Sequence, residues 1–397
     1  MMRKKVIFMV INMNIGGTEK ALINMINEFP TDRYEITVFM LEEYGGFLRF
    51  IPSGVNLKYF TGYQNIKDQL NKPPHLISMQ LLKKGRVIKA FINIFFHIIT
   101  KLMGNRSLFF NYTLRNYPSL NDKYDVAIAY DGPMDFISYF VLKKIKAKKK
   151  IQWIHFDITK IGFNLKFASK VYSQFDKVFV VSKEARKKVI DLIPNLKGKT
   201  DIFMNIASPQ MITSQSKKGQ GFTDQFDGLR ILTVGRLSPE KGQDIAIRVL
   251  GRLIGEGYKV RWYCVGEGNA RGEYERLIKE LNLVDTFILL GSDPNPYPFM
   301  DQCDIYVQPS RHEGYCITLM EARYLKKPII TTCFTGAKEQ IQHGVNGLII
   351  GINEDELYQA LVMLIKNHVL RNKLSENLTK EKIGNKHEMN KIFDYVG

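Results

Sequence analysis

The sequence predicts an α/β protein built from two Rossmann-like, doubly wound domains that face a central cleft. Three observations carry that expectation. The chain has 397 residues, enough for two domains of ordinary size. Near-continuous apolar runs alternate with longer amphipathic stretches in both halves, the pattern of parallel strands covered on both faces. A polar, Gly- and Ser-rich stretch, residues 207–228, separates the two series and reads as a linker. A hydrophobic share of 45% with 24% charged residues excludes wholesale disorder. The 4 cysteines include no C-x-x-C pair, which excludes a zinc ribbon or a disulfide framework and suits a reducing cytoplasm.

The N-terminal K-K-V-I-F-M-V-I-N has the basic start and short apolar run of a signal peptide. It lacks an A-x-A-like cleavage site and leads straight into Gly16-Gly17, so it reads as a buried first strand. A helix from about 18 to 29 follows. E-I-T-V-F-M-L, D-V-A-I-A-Y leading into Asp131, K-I-Q-W-I-H ending at His155 and K-V-F-V-V-S ending at Ser182 continue the first domain, residues 1–206. Beyond the linker, L-R-I-L-T-V-G, K-V-R-W-Y-C-V-G, T-F-I-L-L-G, D-I-Y-V-Q-P, P-I-I-T-T and G-L-I-I-G are the strands of the second domain, residues 229–382. Its helices are expected at about 239–255, 273–281, 318–325 and 355–366. A last helix, about 383–397, is expected to pack back on the first domain.

Charge divides the chain. With 57 Lys and Arg against 39 Asp and Glu, the net charge is +18. Residues 1–200 hold 33 of the bases and 15 of the acids, while residues 201–397 hold 24 of each, so the whole excess lies in the first half. A basic half can face nucleic acid, an anionic membrane or a phosphorylated substrate. No zinc finger, RNP motif or basic zipper is present, so no nucleic-acid partner is expected. The lysine run within 143–150 reads as a solvated helix end before a strand. Residues 87–103 place Lys89, Asn93, His97 and Lys101 at every fourth position of an otherwise apolar segment, with Lys83, Lys84 and Arg86 before it and Arg106 after. The segment is too interrupted to span a bilayer and has two readings: a core helix, or an interfacial helix lying in a membrane surface.

The chemistry-bearing residues cluster at strand ends. V-G-R-L-S-P-E-K-G, residues 234–242, places Arg236 at the carboxyl end of a strand and Lys241 in the first turn of a helix expected to open at Ser238 and Pro239. The two cations form either a diphosphate site or a solvated surface pair. S-R-H-E-G-Y-C-I-T-L-M-E places Glu313 in a loop, Gly314 where a backbone can approach closely, and the amides of Cys316, Ile317 and Thr318 at the opening of a helix. Glu321, one turn inside that helix, can hydrogen-bond a ribose diol. N-M-N-I-G-G-T-E-K is not G-x-G-x-x-G, so the dinucleotide fingerprint fails, and Gly16 and Gly17 read as a structural turn or a cleft loop.

Together these motifs resemble the family 4 retaining glycosyltransferases of GT-B architecture, most strongly over residues 229–321, where they come in the family's order and approximate spacing. The resemblance implies that Arg236 and Lys241 hold a donor diphosphate and Glu321 the ribose. It implies that Glu313 contacts the transferred sugar, and that the backbone from Gly314 through Tyr315, Cys316, Ile317 and Thr318 meets phosphate or sugar. It assigns Gly16 and Gly17 to the diphosphate, Ser292 to the base, His155 to the border of the reacting carbon and Asp131 to the acceptor hydroxyl. His155, Asp131 and Glu313 are thus the expected catalytic group. The family's N-G-V-D is reduced here to Asn205, and Cys316 stands where small residues are common. The implied activity is retaining transfer from a nucleotide sugar, expected to be a UDP-sugar, to a lipid-linked glycan in cell-surface polysaccharide synthesis. No D-x-D motif occurs, so neither a divalent metal nor a cofactor is expected. The expected setting is cytoplasmic, peripheral at the inner membrane face, against an anionic surface. A nucleotide-sugar epimerase of the same design and a non-catalytic membrane binder are the rival readings.

Overall fold

A computed structural model describes residues 2–381 and 384–396. Seven parallel strands form the first sheet: β1 (Lys4–Val10), β2 (Tyr34–Met40), β3 (Asn56–Tyr59), β4 (Lys123–Ala129), β5 (Lys146–Ile154), β6 (Lys177–Val180) and β7 (Thr200–Ile202), ordered β3-β2-β1-β4-β5-β6-β7. Six parallel strands form the second: β8 (Leu229–Val234), β9 (Val260–Val265), β10 (Phe287–Gly291), β11 (Ile305–Gln308), β12 (Ile329–Thr332) and β13 (Leu348–Ile350), ordered β10-β9-β8-β11-β12-β13. Both are doubly wound. The order reverses beside β1 in one sheet and beside β8 in the other, and each switch point opens a crevice at the carboxyl ends of the strands. Helices cover both faces, which is why the central strands read as unbroken apolar runs: Val6, Ile7, Phe8 and Met9 of β1 are all fully buried.

Several elements differ from expectation. The edge strands β3 and β7 are short, and β3 is largely exposed, so neither carries an apolar run. The stretch 207–228 is not an open tether. It contains the helix Pro209–Ser216, capped by Ser208 and started by proline, with Ile212 fully buried. Ser238 and Pro239 open only a short 3₁₀ turn, Pro239–Lys241. The helix proper is Gln243–Gly255, preceded by Gly242 at φ 72°. The lysines of 143–150 do close a helix, but Lys146, Lys148, Lys149 and Lys150 lie in β5 itself. There Lys148 pairs with Asp125, and Lys150 donates to the Leu142 carbonyl.

Between β3 and β4 the chain inserts four helices: Tyr63–Asn71, Pro74–Lys83, Val87–Met103 and Ser107–Leu114. In Val87–Met103 only Ala90 is buried, which removes the core-helix reading. Among the described residues no helix is long and apolar enough to cross a membrane. Of the expected terminal helix, residues 383 and 397 lie outside the described residues. Glu388–Val396 is helical and rests on the first domain. Phe393 packs against Phe29 and Tyr34, Lys149 donates to the Tyr395 carbonyl at 2.6 Å, and the Glu388 carboxylate accepts from the Met204 amide.

Candidate active site

The second-domain wall of the cleft is assembled by two loops at the switch point. Gly242 packs so closely on the loop after β11 that a Cβ there would lie 2.0 Å from the Pro309 carbonyl oxygen. That approach presents Lys241 to the β11 loop, where its Nζ meets Glu313 Oε1 at 2.6 Å. Ser310 Oγ donates to the same oxygen at 2.8 Å, and Gln308 Nε2 donates to Ser310 Oγ at 2.8 Å. Arg311 braces the loop from outside through a bidentate pair with Asp244, at 2.7 and 2.6 Å. Burial alone would depress Lys241, but the adjacent Glu313 carboxylate outweighs it and holds the ammonium above its ordinary value.

Arg236 projects from the end of β8. It is exposed in the cleft, and no ion pair among the described residues engages it. Ser292 follows Gly291 at the end of β10. The β8, β9 and β10 ends are drawn together by Gly266, which donates to the Gly291 carbonyl and packs on Gly235, so Ser292 and Arg236 share one edge of the sheet. The helix Ile317–Tyr324 opens at Cys316 without a side-chain cap, and the amides of Cys316, Ile317 and Thr318 have no partner among the described residues. These amides and the helix dipole make an anion-attracting end. Burial pushes the Cys316 thiol up to about 12, so it stays neutral and contributes shape and backbone. Tyr315 is buried, and its carbonyl accepts from Asn205 at 3.3 Å, so the residue kept from N-G-V-D anchors this loop. Glu321 is 2% exposed and accepts from the Tyr297 hydroxyl at 2.7 Å. Burial raises its carboxyl, opposed by Lys20 and by that hydrogen bond.

The first-domain wall comes from the ends of β1, β4 and β5. Gly16 caps the first helix (Gly17–Ile26), and Gly17 lies over Ile317 of the opposite domain, 4.0 Å from a built Cβ to Ile317 Cδ1. Asp131 accepts from the Ile11 amide at 2.8 Å. Gly314 makes the tightest crossing, since a Cβ there would fall 1.9 Å from the His155 carbonyl oxygen. The His155 ring hydrogen-bonds the Tyr130 backbone, and its Nε2 is buried without a partner. Burial pushes the imidazole down to about 3, so it is neutral and Nε2 offers a lone pair.

The structure therefore gathers Gly16, Gly17, Asp131 and His155 on one wall and Arg236, Lys241, Glu313, Gly314, Cys316, Ile317, Thr318 and Glu321 on the other. It also shows residues the sequence reading missed. Glu19 and Lys20, in the first turn after Gly16-Gly17, both reach the cleft. Burial and then Asp131 push Glu19 up to about 8, with Arg236 opposing, while burial raises Asp131 too. Lys20 sits 5.0 Å from the Tyr297 ring centroid and faces Glu321. A signal was available: both are charged and sit where a helix opens onto the expected cleft. Asp157 was also missed. Its Oδ2 accepts from Lys188 Nζ at 2.7 Å and from Thr335 Oγ1 of the second domain at 2.6 Å. Nearby, the Glu339 carboxylate takes the Lys183 and Glu184 amides, both at 3.0 Å, so a second-domain acid caps a first-domain helix. Elsewhere in the first domain a cavity of about 230 Å³ is lined by residues that include Arg106, Asp135 and Asn164. Among the described residues no group of three or more His, Cys, Asp or Glu gathers as a metal site.

Solved structures with this two-sheet design cover almost the whole chain. Anabaena HepE in complex with UDP and glucose aligns over 99% of both chains with a TM-score of 0.70 at 18% identity. Staphylococcus aureus TarM, solved as a variant with alpha-GlcNAc-glycerol and UDP, aligns over 99% of this chain and 100% of its own with a TM-score of 0.69 at 14% identity. The fold is GT-B. Residues 223–381, which hold the second-domain wall, match the family described as Glycosyl transferases group 1. An uncharacterized glycosyltransferase of Haemophilus influenzae is 26% identical over 94% of both chains. A Campylobacter jejuni enzyme, named as an alpha-N-acetylgalactosaminyltransferase acting on a diphospho-undecaprenol-linked sugar, is 29% identical over 202 residues, 50% of this chain. The chain spans about half the length, 53%, of that relative. The residues that match the family model thus form one wall of the GT-B cleft.

Proposed function

We propose that this protein is a retaining, family 4 glycosyltransferase that moves a sugar from a nucleotide-diphosphate donor, a UDP-sugar, to a hydroxyl of a lipid-linked glycan in cell-surface polysaccharide synthesis. The carrying observation is Arg236, a cation with no ion-pair partner among the described residues, beside Lys241 and an uncapped helix end. That arrangement suits a diphosphate whose negative charge grows as its bond to the sugar breaks. Arg236, Lys241 and the amides of Cys316, Ile317 and Thr318 supply the positive field without a divalent ion or cofactor. Glu321 takes the ribose, Ser292 the base through its backbone, and Glu313 the sugar hydroxyls.

Neutral His155, its ring held by the Tyr130 backbone, borders the reacting carbon and positions the sugar. Asp131 holds the acceptor hydroxyl. The bond from the anomeric carbon to the diphosphate oxygen breaks and the bond to the acceptor oxygen forms on the same face. The acceptor's proton passes to the departing diphosphate. UDP in the HepE and TarM complexes and the lipid-linked substrate in the Campylobacter relative's name support this reading. A lipid-linked acceptor also suits a cytoplasmic enzyme held at the inner face of an anionic membrane by its basic first domain.

Incubation with a panel of nucleotide sugars tests the assignment. UDP release that requires a glycan acceptor supports it. Release of a free isomerised sugar without acceptor would establish the epimerase reading, and absence of any nucleotide binding would leave only the non-catalytic one.

A further inference from the structure

The helix Val87–Met103 wears its apolar side outward. Ile88, Phe91, Phe95, Ile98 and Leu102 follow one another at three- and four-residue steps and form a single stripe. They are 77%, 66%, 55%, 51% and 77% exposed. The opposite side is fixed inward by polar contacts. Asn93 Nδ2 donates to the Pro74 carbonyl and to Ser78 Oγ, both at 2.9 Å, while Ala90 is buried and Phe96 packs on Tyr112. The stripe therefore cannot turn into the core without losing those bonds. Leu76, Met79 and Leu82 of the neighbouring helix Pro74–Lys83 are exposed as well.

We infer that the outward face of this helical hairpin docks into an anionic lipid bilayer, lying in the plane of the headgroup–acyl boundary. Charge selects that occupant. Between Asp68 and Asp122 the chain holds no acidic residue and eight Lys or Arg. Lys83, Lys84 and Arg86 occupy the hairpin turn, and Lys89 and Lys101 flank the stripe, where their stems reach along apolar surface while the ammonium groups meet lipid phosphates. A second copy of the chain is disfavoured, because a two-fold contact through this face would set one cationic cluster against another. The helix has 17 residues and does not qualify as a span, which leaves the interfacial orientation. The inference deepens the proposed function and rests on it only for why the acceptor should be at a membrane.

The test uses the full-length protein and vesicles without nucleotide sugar. Wild type is expected to co-float with phosphatidylcholine vesicles containing about a third phosphatidylglycerol and to release with rising salt. Both native tryptophans are 0% exposed, so Phe91→Trp supplies a clean reporter. Its emission is expected to shift blue and to be quenched by brominated acyl chains. The combined Ile88→Asp, Phe91→Asp, Phe95→Asp and Ile98→Asp variant is expected to lose flotation. Lys83→Glu with Lys84→Glu and Arg86→Glu is expected to weaken it by on the order of 100-fold. Both variants should bind UDP in calorimetry as wild type does, which shows that the fold survives. Flotation unchanged by the four aspartates, an unquenched Phe91→Trp emission, or a wild-type dimer that the four aspartates dissociate would overturn the inference. Loss of UDP binding in wild type would instead strike the transferase reading and leave the vesicle result standing.

Discussion

Over residues 201–397, acids and bases are equal in number, and several pair with one another: Arg311 with Asp244, Arg323 with Glu381, Arg261 with Asp224, Lys241 with Glu313. In the N-terminal domain, bases outnumber acids by 33 to 15 over residues 1–200, and an unpaired lysine there is ordinary. The same observation therefore means different things in the two halves. Where charge is balanced, the informative cation is Arg236, which is exposed at the cleft beside Lys241 and has no ion pair among the described residues, as the proposed diphosphate site needs. Where charge is in surplus, the informative anomaly is apolar surface facing outward, as on Val87–Met103.

Removing the anomaly from the balanced half should have the largest effect. Arg236→Ala is expected to cut transfer by about 10²–10³-fold, equivalent to about 3–4 kcal/mol of transition-state stabilisation. Its circular dichroism and melting should stay as in wild type because the side chain is exposed. Near-normal turnover would mean that unpaired charge is as uninformative there as in the basic half.

The interdomain contacts come next. Asp157→Ala leaves Lys188 and Thr335 without their shared acceptor and should cost about 1–3 kcal/mol in stability, read by denaturant titration. Burial would raise the Asp157 carboxyl, but Lys188 and the hydroxyls of Thr159 and Thr335 outweigh it and hold it well below the ordinary carboxylate range. Its contribution is therefore present above the ordinary carboxylate pKa and is lost as pH falls through and below that range. The difference between wild type and Asp157→Ala should shrink in acid.

A pH titration sharpens the comparison within the cleft. Glu19 is raised from its ordinary 4.5 to about 8, so it is neutral over most of the physiological range and becomes an anion facing Arg236 as pH rises further. UDP affinity, measured by calorimetry from about pH 6 to about pH 9, should fall as Glu19 ionises, and Glu19→Gln should flatten that slope. The smallest effect is expected from Tyr297→Phe, which removes one donor from buried Glu321 and should weaken UDP binding by about 1 kcal/mol.

The second domain's candidate site was the more legible because the residues that the structure brings together there are local in sequence. Arg236 and Lys241 sit 5 positions apart, Glu313 and Glu321 sit 8 apart, and both pairs follow apolar strands with short loops. The helix Pro209–Ser216 carried its own signal, a serine cap before proline, and was masked by polar composition. The bond between Asp157 and Thr335 had no local signal, since its partners are 178 positions apart and meet only once both domains exist. Residues 87–103 show the limit of periodicity. The polar spacing at Lys89, Asn93, His97 and Lys101 was visible, but which side faces the protein depends on Asn93 finding Pro74 and Ser78.

The return of Glu388–Val396 to the first domain has a mechanical consequence. The polypeptide joins the two lobes twice, once through 207–228 and once ahead of this helix, and two tethers side by side permit bending but resist swivelling. Any bending of the lobes is thereby directed about the place where Met204 meets Glu388. Parting the lobes there would separate Gly314 from the His155 carbonyl and Thr335 from Asp157 together.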